Sequence, residues 1–381
     1  MDDGAVTLAD RSHMPDAERV VIKIGSSSLT GPDGRLDVQA VRALVDVIAA
    51  RHLAGGQVVL VTSGSVAAGI DPLGLASRPR DLATAQAAAS VGQGMLIARY
   101  SEAFAAHGLR SAQVLLTAED TVRRGHYRNA QRSLERLLEL GVVPIVNEND
   151  AVATNEIRFG DNDRLAALVS HLVRADAMIL LTDVDGLYDG PPDRPGTSQI
   201  SVVNSPQEIE HIDIGGTGSA VGTGGMVTKI AAMSIATTSG IPTILTKATN
   251  VAGALAGEQV GTWFAVTGKR TTRRRLWLGH AARVRGRLVL DDGAVQAIKR
   301  GGASLLPAGI TDVKGEFDAG DPVELVDPAG GVVARGLVAF DSTELPELIG
   351  RSTHWLRERL GEGYDREVVH RDDLVLARVR L

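Results

Sequence analysis

The stretch Asn147–Asp163 constrains the fold most, because it joins two regular patterns through a dense set of polar side chains. The apolar run Val142–Val146 leads into it and predicts a buried strand. A strand that passes through a polar loop into a helix is the repeating unit of α/β folds, so we expect such a fold. Beyond the stretch, apolar residues recur with the spacing of one helix face at Leu165, Leu168, Val169 and Leu172.

The polar set indicates a ligand site rather than an ordinary loop. Open α/β sheets bind ligands at the carboxyl ends of their strands, which is where this set is expected to lie. Aspartate and asparagine also cap helices, but a single cap would account for one residue and not for nine. The nine are the carboxylates Glu148, Asp150, Glu156, Asp161 and Asp163 and the carboxamides Asn147, Asn149, Asn155 and Asn162.

The composition limits what the chain can be. A chain of 381 residues exceeds one ordinary core, so we expect two domains, and 44% hydrophobic residues suffice to pack them. A net charge of −6 argues against a protein that coats nucleic acid along its whole length. No apolar run reaches the roughly 18 residues of a membrane span. The absence of cysteine fits a reducing compartment, so we expect a cytoplasmic protein without membrane contact.

Changes in composition along the chain predict three segments. Residues 1–19 are polar and lack a signal-peptide core, so we expect a poorly ordered leader. Residues 20–268 carry the α/β pattern, and Ile241–Leu245 is its last expected strand. Residues 269–381 begin with the basic stretch Lys269–Arg287 and continue as short apolar runs separated by glycine and aspartate. That texture is typical of a small, mostly β domain.

Two further strand ends carry candidate site residues. Val20–Ile24 contains Lys23 and leads into Gly25, so a lysine and free backbone amides could contact phosphate together. A lysine that reaches water from a sheet edge is the alternative. Val58–Val61 leads into a loop with Ser63. No nucleophile elbow surrounds that serine, so it is better suited to donate hydrogen bonds to a substrate.

A glycine-rich segment, Gly215–Lys229, runs into a helix that we expect to begin near Met226. Free N–H groups and the dipole at a helix N-terminus attract anions, and Lys229 in the first turn can neutralise a phosphate. The segment is not a Walker A motif, so no P-loop fold is implied. A merely flexible glycine loop is the alternative.

Thr182 and Asp183 directly follow the apolar run Ala177–Leu181, which predicts another strand. An aspartate in this position is suited to bind a nucleotide ribose, a base or a metal ion. An ordinary Asp-Gly turn fits this segment nearly as well.

Taken together, these features favour phosphoryl transfer. Catalysis of that reaction positions the phosphoryl group and neutralises its charge, for which Lys23 and Lys229 facing several carboxylates are suited. Mg²⁺ would lie between acidic residues and the phosphates. No covalent enzyme intermediate is required.

Five motifs occur in one order along the chain. They are Val-Ile-Lys-Ile-Gly (Val21–Gly25), Val-Thr-Ser-Gly (Val61–Gly64), Asn-Glu-Asn-Asp (Asn147–Asp150), Gly-Asp-Asn-Asp (Gly160–Asp163) and Gly-Thr-Gly-Gly-Met-Val-Thr-Lys (Gly222–Lys229). In this order the motifs resemble the glutamate 5-kinase group of the amino acid kinase family. Gly301–Gly309 and Val369–Asp373 resemble the PUA domain appended to that group. The resemblance implies an open, mainly parallel sheet between helices, followed by a PUA-like domain.

The same resemblance implies ATP-dependent phosphorylation of the side-chain carboxylate of L-glutamate, giving glutamyl 5-phosphate in the first step of proline biosynthesis. It implies that Lys23 and Lys229 stabilise the transferring phosphoryl group and that Asp163 orients both lysines. Glutamate would be held by Ser63, Asp150 and Asn162. The ATP phosphates would hold most of the Mg²⁺ coordination. The implied nucleotide contacts are Lys23, Thr182, Asp183, Thr223, Gly224, Gly225, Met226, Val227, Thr228 and Lys229.

A homo-oligomer, either a dimer or a tetramer, and feedback inhibition by proline are also implied by the resemblance. The sequence departs from the family at Ser65, where alanine is common. The stretch His211–Val221 follows no family pattern.

Two alternative functions stay open at this point. Acetylglutamate kinase and aspartokinase share the fold, but Asn147–Asp150 and the C-terminal β domain favour the glutamate 5-kinase group. The other alternative is an RNA-binding or RNA-modification factor with a kinase-like scaffold. Lys269–Arg287 contains Trp277 as its one aromatic residue, so it predicts only weak, salt-sensitive RNA binding by the C-terminal region.

Overall fold

The computed structural model describes residues 8–31, 34–117, 120, 124–152, 162–191, 194, 196–209, 212, 225–268, 284–360, 364 and 366–376. The chain forms two compact units, Met1–Thr271 and Thr272–Leu381. Each has its own hydrophobic core and is described separately.

Strands of unit 1 form a large sheet and a small one. In chain order the strands are β1 (Arg19–Ile24), β2 (Gln57–Thr62), β3 (Arg110–Leu116), β4 (Val142–Glu148), β5 (Ala177–Thr182), β6 (Leu187–Tyr188), β7 (Gln199–Ile200), β8 (Val202–Val203), β9 (Thr243–Lys247) and β10 (Thr262–Phe264). Strands β6 and β7 pair with each other, and the other eight form a sheet in the order β3-β4-β2-β1-β5-β9-β10-β8. The first six strands in this order, β3, β4, β2, β1, β5 and β9, are parallel to one another, whereas β10 is antiparallel to β9. The mainly parallel sheet expected from the sequence is confirmed.

Central strands of this sheet are apolar along almost their whole length. Every residue of β5 is buried, and in β1 and β2 only the first residue is partly exposed. A parallel strand covered by helices on both faces is apolar on both faces, which explains why these strands read as continuous apolar runs.

Several helices of unit 1 begin at signals visible in the sequence. Asp37 and Asp81 cap α1 (Val38–Leu53) and α3 (Leu82–Ala106) by accepting hydrogen bonds from backbone N–H groups. The expected helix start near Met226 is confirmed. None of the helices in the described part of the chain has the length and apolarity that a membrane crossing needs. The helices are α1 (Val38–Leu53), α2 (Ser65–Ile70), α3 (Leu82–Ala106), α4 (Arg124–Glu139), α5 (Asn162–Leu172), α6 (Met226–Thr238) and α7 (Val251–Leu255).

The expectation of a poorly ordered leader is wrong for residues 8–18. Arg11–Asp16 forms a 3₁₀ helix, and Leu8 and Met14 belong to the hydrophobic core of unit 1. The buried Arg11 side chain donates hydrogen bonds to the carbonyl oxygens of Val260, at 2.9 Å, and Ser201. Two apolar side chains and one well-bonded arginine therefore order a segment whose composition is mostly polar. Residues 1–7 lie outside the described residues.

Unit 1 also has a strand beyond the last one expected. Ile241–Leu245 was the expected strand, whereas β9 begins two residues later and β10 follows it as an antiparallel partner. Strand β10 has only three residues, too few for a periodic pattern, and it is held by burial of Trp263.

Unit 2 is a small, mostly β domain with a five-stranded sheet, as the sequence predicts. The basic residues from 269 to 283 lie outside the described part. The elements are β11 (Gly286–Leu290), α8 (Asp292–Arg300), β12 (Ile310–Gly315), β13 (Pro322–Val326), β14 (Val332–Leu337), α9 (Leu345–Leu348), α10 (Thr353–Leu360) and β15 (Leu374–Leu376). The sheet order is β12-β11-β13-β14-β15, and β11 pairs with β13 in parallel.

Candidate active site

Four strands carry polar residues at their carboxyl ends, and these ends lie at one edge of the large sheet. Strands β1, β2, β4 and β5 are parallel neighbours, so their carboxyl ends share this edge. The chain places β2 on one side of β1 and β5 on the other, which makes β1 the point where open α/β sheets have their ligand crevice. Lys23, Thr62, Asn147 and Thr182 lie at or next to these strand ends.

Asp163 joins the two lysines that the sequence analysis singled out. It lies in the first turn of α5, is fully buried, and forms ion pairs with Lys23 through Oδ1 and with Lys229 through Oδ2, the latter at 3.1 Å. Lys229 lies in the first turn of α6. We call these three residues the lysine triad. The structure therefore brings together residues that are 140 and 66 positions apart in sequence.

The lysine triad holds more positive than negative charge. Two ammonium groups share one carboxylate, and the side chains of Lys23 and Lys229 are only 4% and 12% exposed. Charge held away from water is costly unless it is paired, so two nearly buried ammonium groups at a strand end and a helix N-terminus suit an anionic ligand. The N-terminus of α6 adds the positive end of a helix dipole on the same side as Lys229.

Asn162, the residue before Asp163, connects the triad to a group of uncharged polar residues. We call this group, Thr62, Ser63, Asn147 and Asn162, the neutral cluster. Asn162 Nδ2 lies 2.9 Å from the oxygens of three acceptors: the Thr62 carbonyl, Ser63 Oγ and Asn147 Oδ1. Its Oδ1 is buried and has no hydrogen-bond partner among the described residues. Since the surrounding acceptors fix the orientation of this amide, Oδ1 is available to accept a hydrogen bond from a ligand.

The turn between β2 and α2 contains Ser63, and the residue that follows it, Ser65, contacts Asp150. Gly64 has φ +106°, in the left-handed region that favours glycine, and this turn leads directly into the buried Ser65 at the start of α2. Ser65 Oγ donates a hydrogen bond to Asp150 Oδ2 at 2.8 Å. The departure noted at Ser65 thus contacts a predicted substrate-binding residue.

Comparison with known proteins gives a family match in each unit and relatives along nearly the whole chain. The amino acid kinase family model matches residues 18–247, and the PUA domain model matches residues 286–359. Glutamate 5-kinase from Streptomyces avermitilis is 60% identical over 371 residues, which are 97% of this chain and 99% of that protein. Glutamate 5-kinase from Thermobifida fusca is 59% identical over 370 residues, 97% of this chain and 95% of that protein.

This chain belongs to the glutamate 5-kinases of the amino acid kinase family. The family inferred from five short motifs is therefore confirmed. A solved structure, carbamate kinase from Giardia lamblia bound to AMP-PNP, has a TM-score of 0.50 and 18% identity, covering 66% of this chain and 99% of that chain. This likeness concerns the fold, and it supports the α/β class expected from the sequence.

The nucleotide-binding residues predicted for this family member are only partly within the described residues. Thr182 Oγ1 donates to Asp183 Oδ1 at 2.9 Å, at the end of β5. Gly225 precedes α6 without a side-chain cap, and Thr228 Oγ1 donates to its carbonyl oxygen at 2.8 Å. Met226 and Val227 form the first turn of α6 with them. Thr223 and Gly224 lie outside the described residues, and the nucleotide contacts stay predictions.

The structure also shows site residues to which the sequence gave no role. Asn147 was noted as one of nine polar residues and as the start of the Asn147–Asp150 motif, but without a role of its own, and Gln93 and Tyr100 in α3 carried no motif at all. Tyr100 is fully buried, and its hydroxyl lies 2.9 Å from Thr62 Oγ1. Burial raises the pKa of the Tyr100 phenol well above its usual range, so it supports Thr62 as a neutral group. The sequence carries no signal for Gln93 or Tyr100, because α3 contains several other polar side chains.

Proposed function

We propose that this chain transfers the γ-phosphoryl group of ATP to the side-chain carboxylate of L-glutamate, forming glutamyl 5-phosphate, the first step of proline biosynthesis. The observation that carries the proposal is the adjacency of Asn162 and Asp163 at the start of α5. One residue organises the neutral cluster and the next holds both lysines. A small amino acid and a terminal phosphate can therefore meet at one place.

The transfer needs no general base. The glutamate side-chain carboxylate has an ordinary pKa of about 4.3, so it is already ionised at neutral pH. Its oxygen attacks the γ-phosphorus, and the bond from that phosphorus to the β–γ bridging oxygen breaks. ADP leaves with the electron pair of that bond, so no proton has to move.

Lys23 and Lys229 stabilise the negative charge on the transferring phosphoryl oxygens. Both ammonium groups are fixed by Asp163 before any ligand binds, so little reorganisation is required during the reaction. Their contribution is then greatest in the transition state, where charge is spread over three oxygens.

Glutamate is held by Ser63, Asp150 and Asn162. The substrate ammonium needs acceptors, which Asn162 Oδ1 and the Asp150 carboxylate supply, and a substrate carboxylate needs donors, such as the Ser63 hydroxyl. The side chains of Asp150 and Asn162 are oriented by Ser65 and by Thr62, Ser63 and Asn147, respectively.

The nucleotide lies along the start of α6 and the end of β5. There it contacts the ten nucleotide-binding residues that the family resemblance implies, of which Lys23 is the first in the chain and Lys229 the last. The described residues contain no group of three or more His, Asp or Glu side chains that could hold a metal ion. The protein groups that suit ATP are cationic, so Mg²⁺ fits best as an ion carried by the ATP phosphates, where it neutralises phosphate charge.

Trapping the acyl phosphate with hydroxylamine tests this function. Purified protein with ATP and Mg²⁺ should form hydroxamate with L-glutamate and far less with N-acetylglutamate or aspartate. Hydroxamate with only the latter two would assign the chain to another activity of the fold. Repeating the assay with proline measures feedback inhibition, which we expect to lower the rate.

We further propose a cytoplasmic homo-oligomer, a dimer or a tetramer. The half-exposed apolar side chains of Val91 and Met95 on α3 support a subunit contact. Sedimentation equilibrium should give a mass two or four times that of one chain, and a monomer at assay concentration would contradict this proposal.

RNA binding by unit 2 is expected to be weak. Arg351 and Arg359 lie over the ring of Trp355, 4.6 and 5.9 Å from its centroid, so the aromatic face is already covered. Filter binding should detect low affinity that falls with salt. Tight, salt-resistant and sequence-selective binding would favour the RNA-factor alternative.

A further inference from the structure

Gln93, in the middle of α3, contacts the same neutral cluster as Asn162. Its Oε1 accepts a hydrogen bond from Asn147 Nδ2 at 2.8 Å. The other atom of the Asn147 amide, Oδ1, accepts from Asn162 Nδ2 and from the backbone N–H of Glu148, both at 2.9 Å. A continuous run of hydrogen bonds therefore leads from Gln93 to Asn162.

These contacts fix which end of each amide points where. The Glu148 N–H can only donate, so the Asn147 atom beside it must be its oxygen. The Asn147 nitrogen then faces Gln93 and requires an oxygen there. Consequently the Gln93 group left over is Nε2, a donor, and it is buried with no hydrogen-bond partner among the described residues.

An amide N–H left buried and unbonded is unfavourable, because it loses its hydrogen bonds to water without replacement, so such a group in a native protein calls for an explanation. Two such atoms lie in or next to the neutral cluster, and their polarities are opposite: Asn162 Oδ1 accepts and Gln93 Nε2 donates. An amino acid carries the matching pair, an ammonium that donates and a carboxylate that accepts.

Packing of α2 on α3 keeps Gln93 in place relative to Ser63. A Cβ atom at Gly92 would overlap the carbonyl oxygen of Ser65, so the two helices touch backbone to backbone at the residue before Gln93. This contact leaves α3 no freedom to move Gln93 toward or away from the turn that holds Ser63.

We propose that Gln93 Nε2 donates a hydrogen bond to the α-carboxylate of glutamate, an inference that rests on the proposed function. The side-chain carboxylate must reach the phosphoryl group at the lysine triad, which begins one residue after Asn162. Gln93 lies two hydrogen bonds further along, beyond Asn147. The α-carboxylate, at the other end of the substrate, is therefore the group that Gln93 meets.

Gln93→Glu separates this role from simple support of Asn147. The variant is isosteric and keeps an acceptor for Asn147 Nδ2, but it replaces the donor with negative charge. We expect KM for glutamate to rise about 10- to 100-fold, the range for a lost hydrogen bond to a charged group, with KM for ATP unchanged. An unchanged KM for glutamate would leave Gln93 only a supporting role and overturn the proposal. Gln113→Glu, on the exposed part of β3, is the matched control and should leave both values unchanged.

The α-amide of glutamate identifies the carboxylate involved. An amide can donate to the carboxylate that Gln93→Glu introduces, so the ratio of kcat/KM between wild type and Gln93→Glu should fall toward one with this substrate. If Gln93→Glu lowered kcat/KM by the same factor with glutamate and with its α-amide, the assignment to the α-carboxylate would be overturned.

Two further measurements keep the outcomes separate. Gln93→Met adds no charge but removes both the donor and the acceptor for Asn147 Nδ2, so it should also raise KM for glutamate, while circular dichroism and ATP binding report whether each variant folds. Wild-type protein that forms no hydroxamate from glutamate would defeat the proposed function itself. Active wild type with an unaffected Gln93→Met variant would defeat only the Gln93 inference.

Discussion

Each unit of the molecule contains two cations on one carboxylate. In unit 1 this is the lysine triad, Lys23–Asp163–Lys229. In unit 2, Glu324 on β13 pairs with Arg287 on β11 at 3.1 Å and with Arg335 on β14 at 3.2 Å; we call this set the arginine triad. The charge count is the same in both, so any difference in role comes from their surroundings.

Those surroundings differ in burial and in the way the partners are held. Asp163 is fully buried, whereas the side chains of Arg287 and Arg335 are 61% and 27% exposed. In the arginine triad, Arg287 and Arg335 are also direct cross-strand neighbours of Glu324. Register brings these partners together, and water solvates the surplus charge. The three residues of the lysine triad come from three elements that are not cross-strand neighbours, and their side chains are almost completely shielded from water, so the triad suits an anionic ligand.

The largest expected effect is that of Lys229→Ala on turnover. Loss of one fixed cation at the transferring phosphoryl group should lower kcat about 10²- to 10³-fold, while glutamate affinity stays close to that of wild type. Hydroxamate assays and glutamate titration measure the two quantities. Lys299→Ala, an exposed lysine on α8, should change neither. Normal turnover in Lys229→Ala would show that the lysine triad has only a structural role, as the arginine triad has.

Asp163→Ala tests the cost of the buried cations. Two ammonium groups lose their shared carboxylate, so the free energy of unfolding should fall by about 3–5 kcal/mol, with little dependence on salt. Urea titration at low and high salt measures it. A loss below about 1 kcal/mol would mean that the two triads are equivalent in stability terms.

Glu324→Gln should have a much smaller effect on stability. Arg287 and Arg335 can turn to water, so we expect a loss of roughly 0–1 kcal/mol that shrinks further at high salt. The same urea titrations serve as the measurement, and Glu344→Gln in the loop before α9 provides a control. A large, salt-independent loss would remove the contrast between the units.

The smallest effect concerns a carboxylate that has hydrogen bonds instead of cations. Asp81 caps α3, and hydrogen bonds from Thr84 lower its pKa below the ordinary value of 3.8. Because the folded pKa is the lower one, the stabilising contribution is present above pH 3.8 and is lost as pH falls through the folded value. Asp81→Ala should therefore lower Tm slightly at pH 7, and the difference from wild type should vanish at strongly acidic pH. A difference that is constant with pH would argue against this cap.

The sequence predicted the parts of the fold that depend on local patterns. The buried strands, the helix that carries Leu165 and Leu168, and the start of α6 follow from apolar runs, periodicity and glycine placement. Lys23 and Lys229 could be chosen because each lies at a strand or helix end beside glycine. Short elements such as β10 and α9, with three and four residues, are too short for a pattern to show.

Contacts between distant residues explain the rest. Gln93 lies 54 positions from Asn147, and no local feature marks it as part of a site. The order of the leader depends on Arg11 meeting carbonyl groups about 250 positions away, and a composition average cannot reveal that. Asn147 was visible as a polar residue, but its role follows only from the orientation of its amide.

Asn162 and Asp163 occupy successive positions in the first turn of one helix. Their Cα atoms are thus about 3.8 Å apart, a separation fixed by covalent geometry. On the proposed function, the residue that contacts the amino acid and the residue that positions both lysines are therefore joined by one peptide unit. Their separation cannot adjust to a substrate one methylene shorter than glutamate, so the backbone itself would select for the length of the substrate side chain.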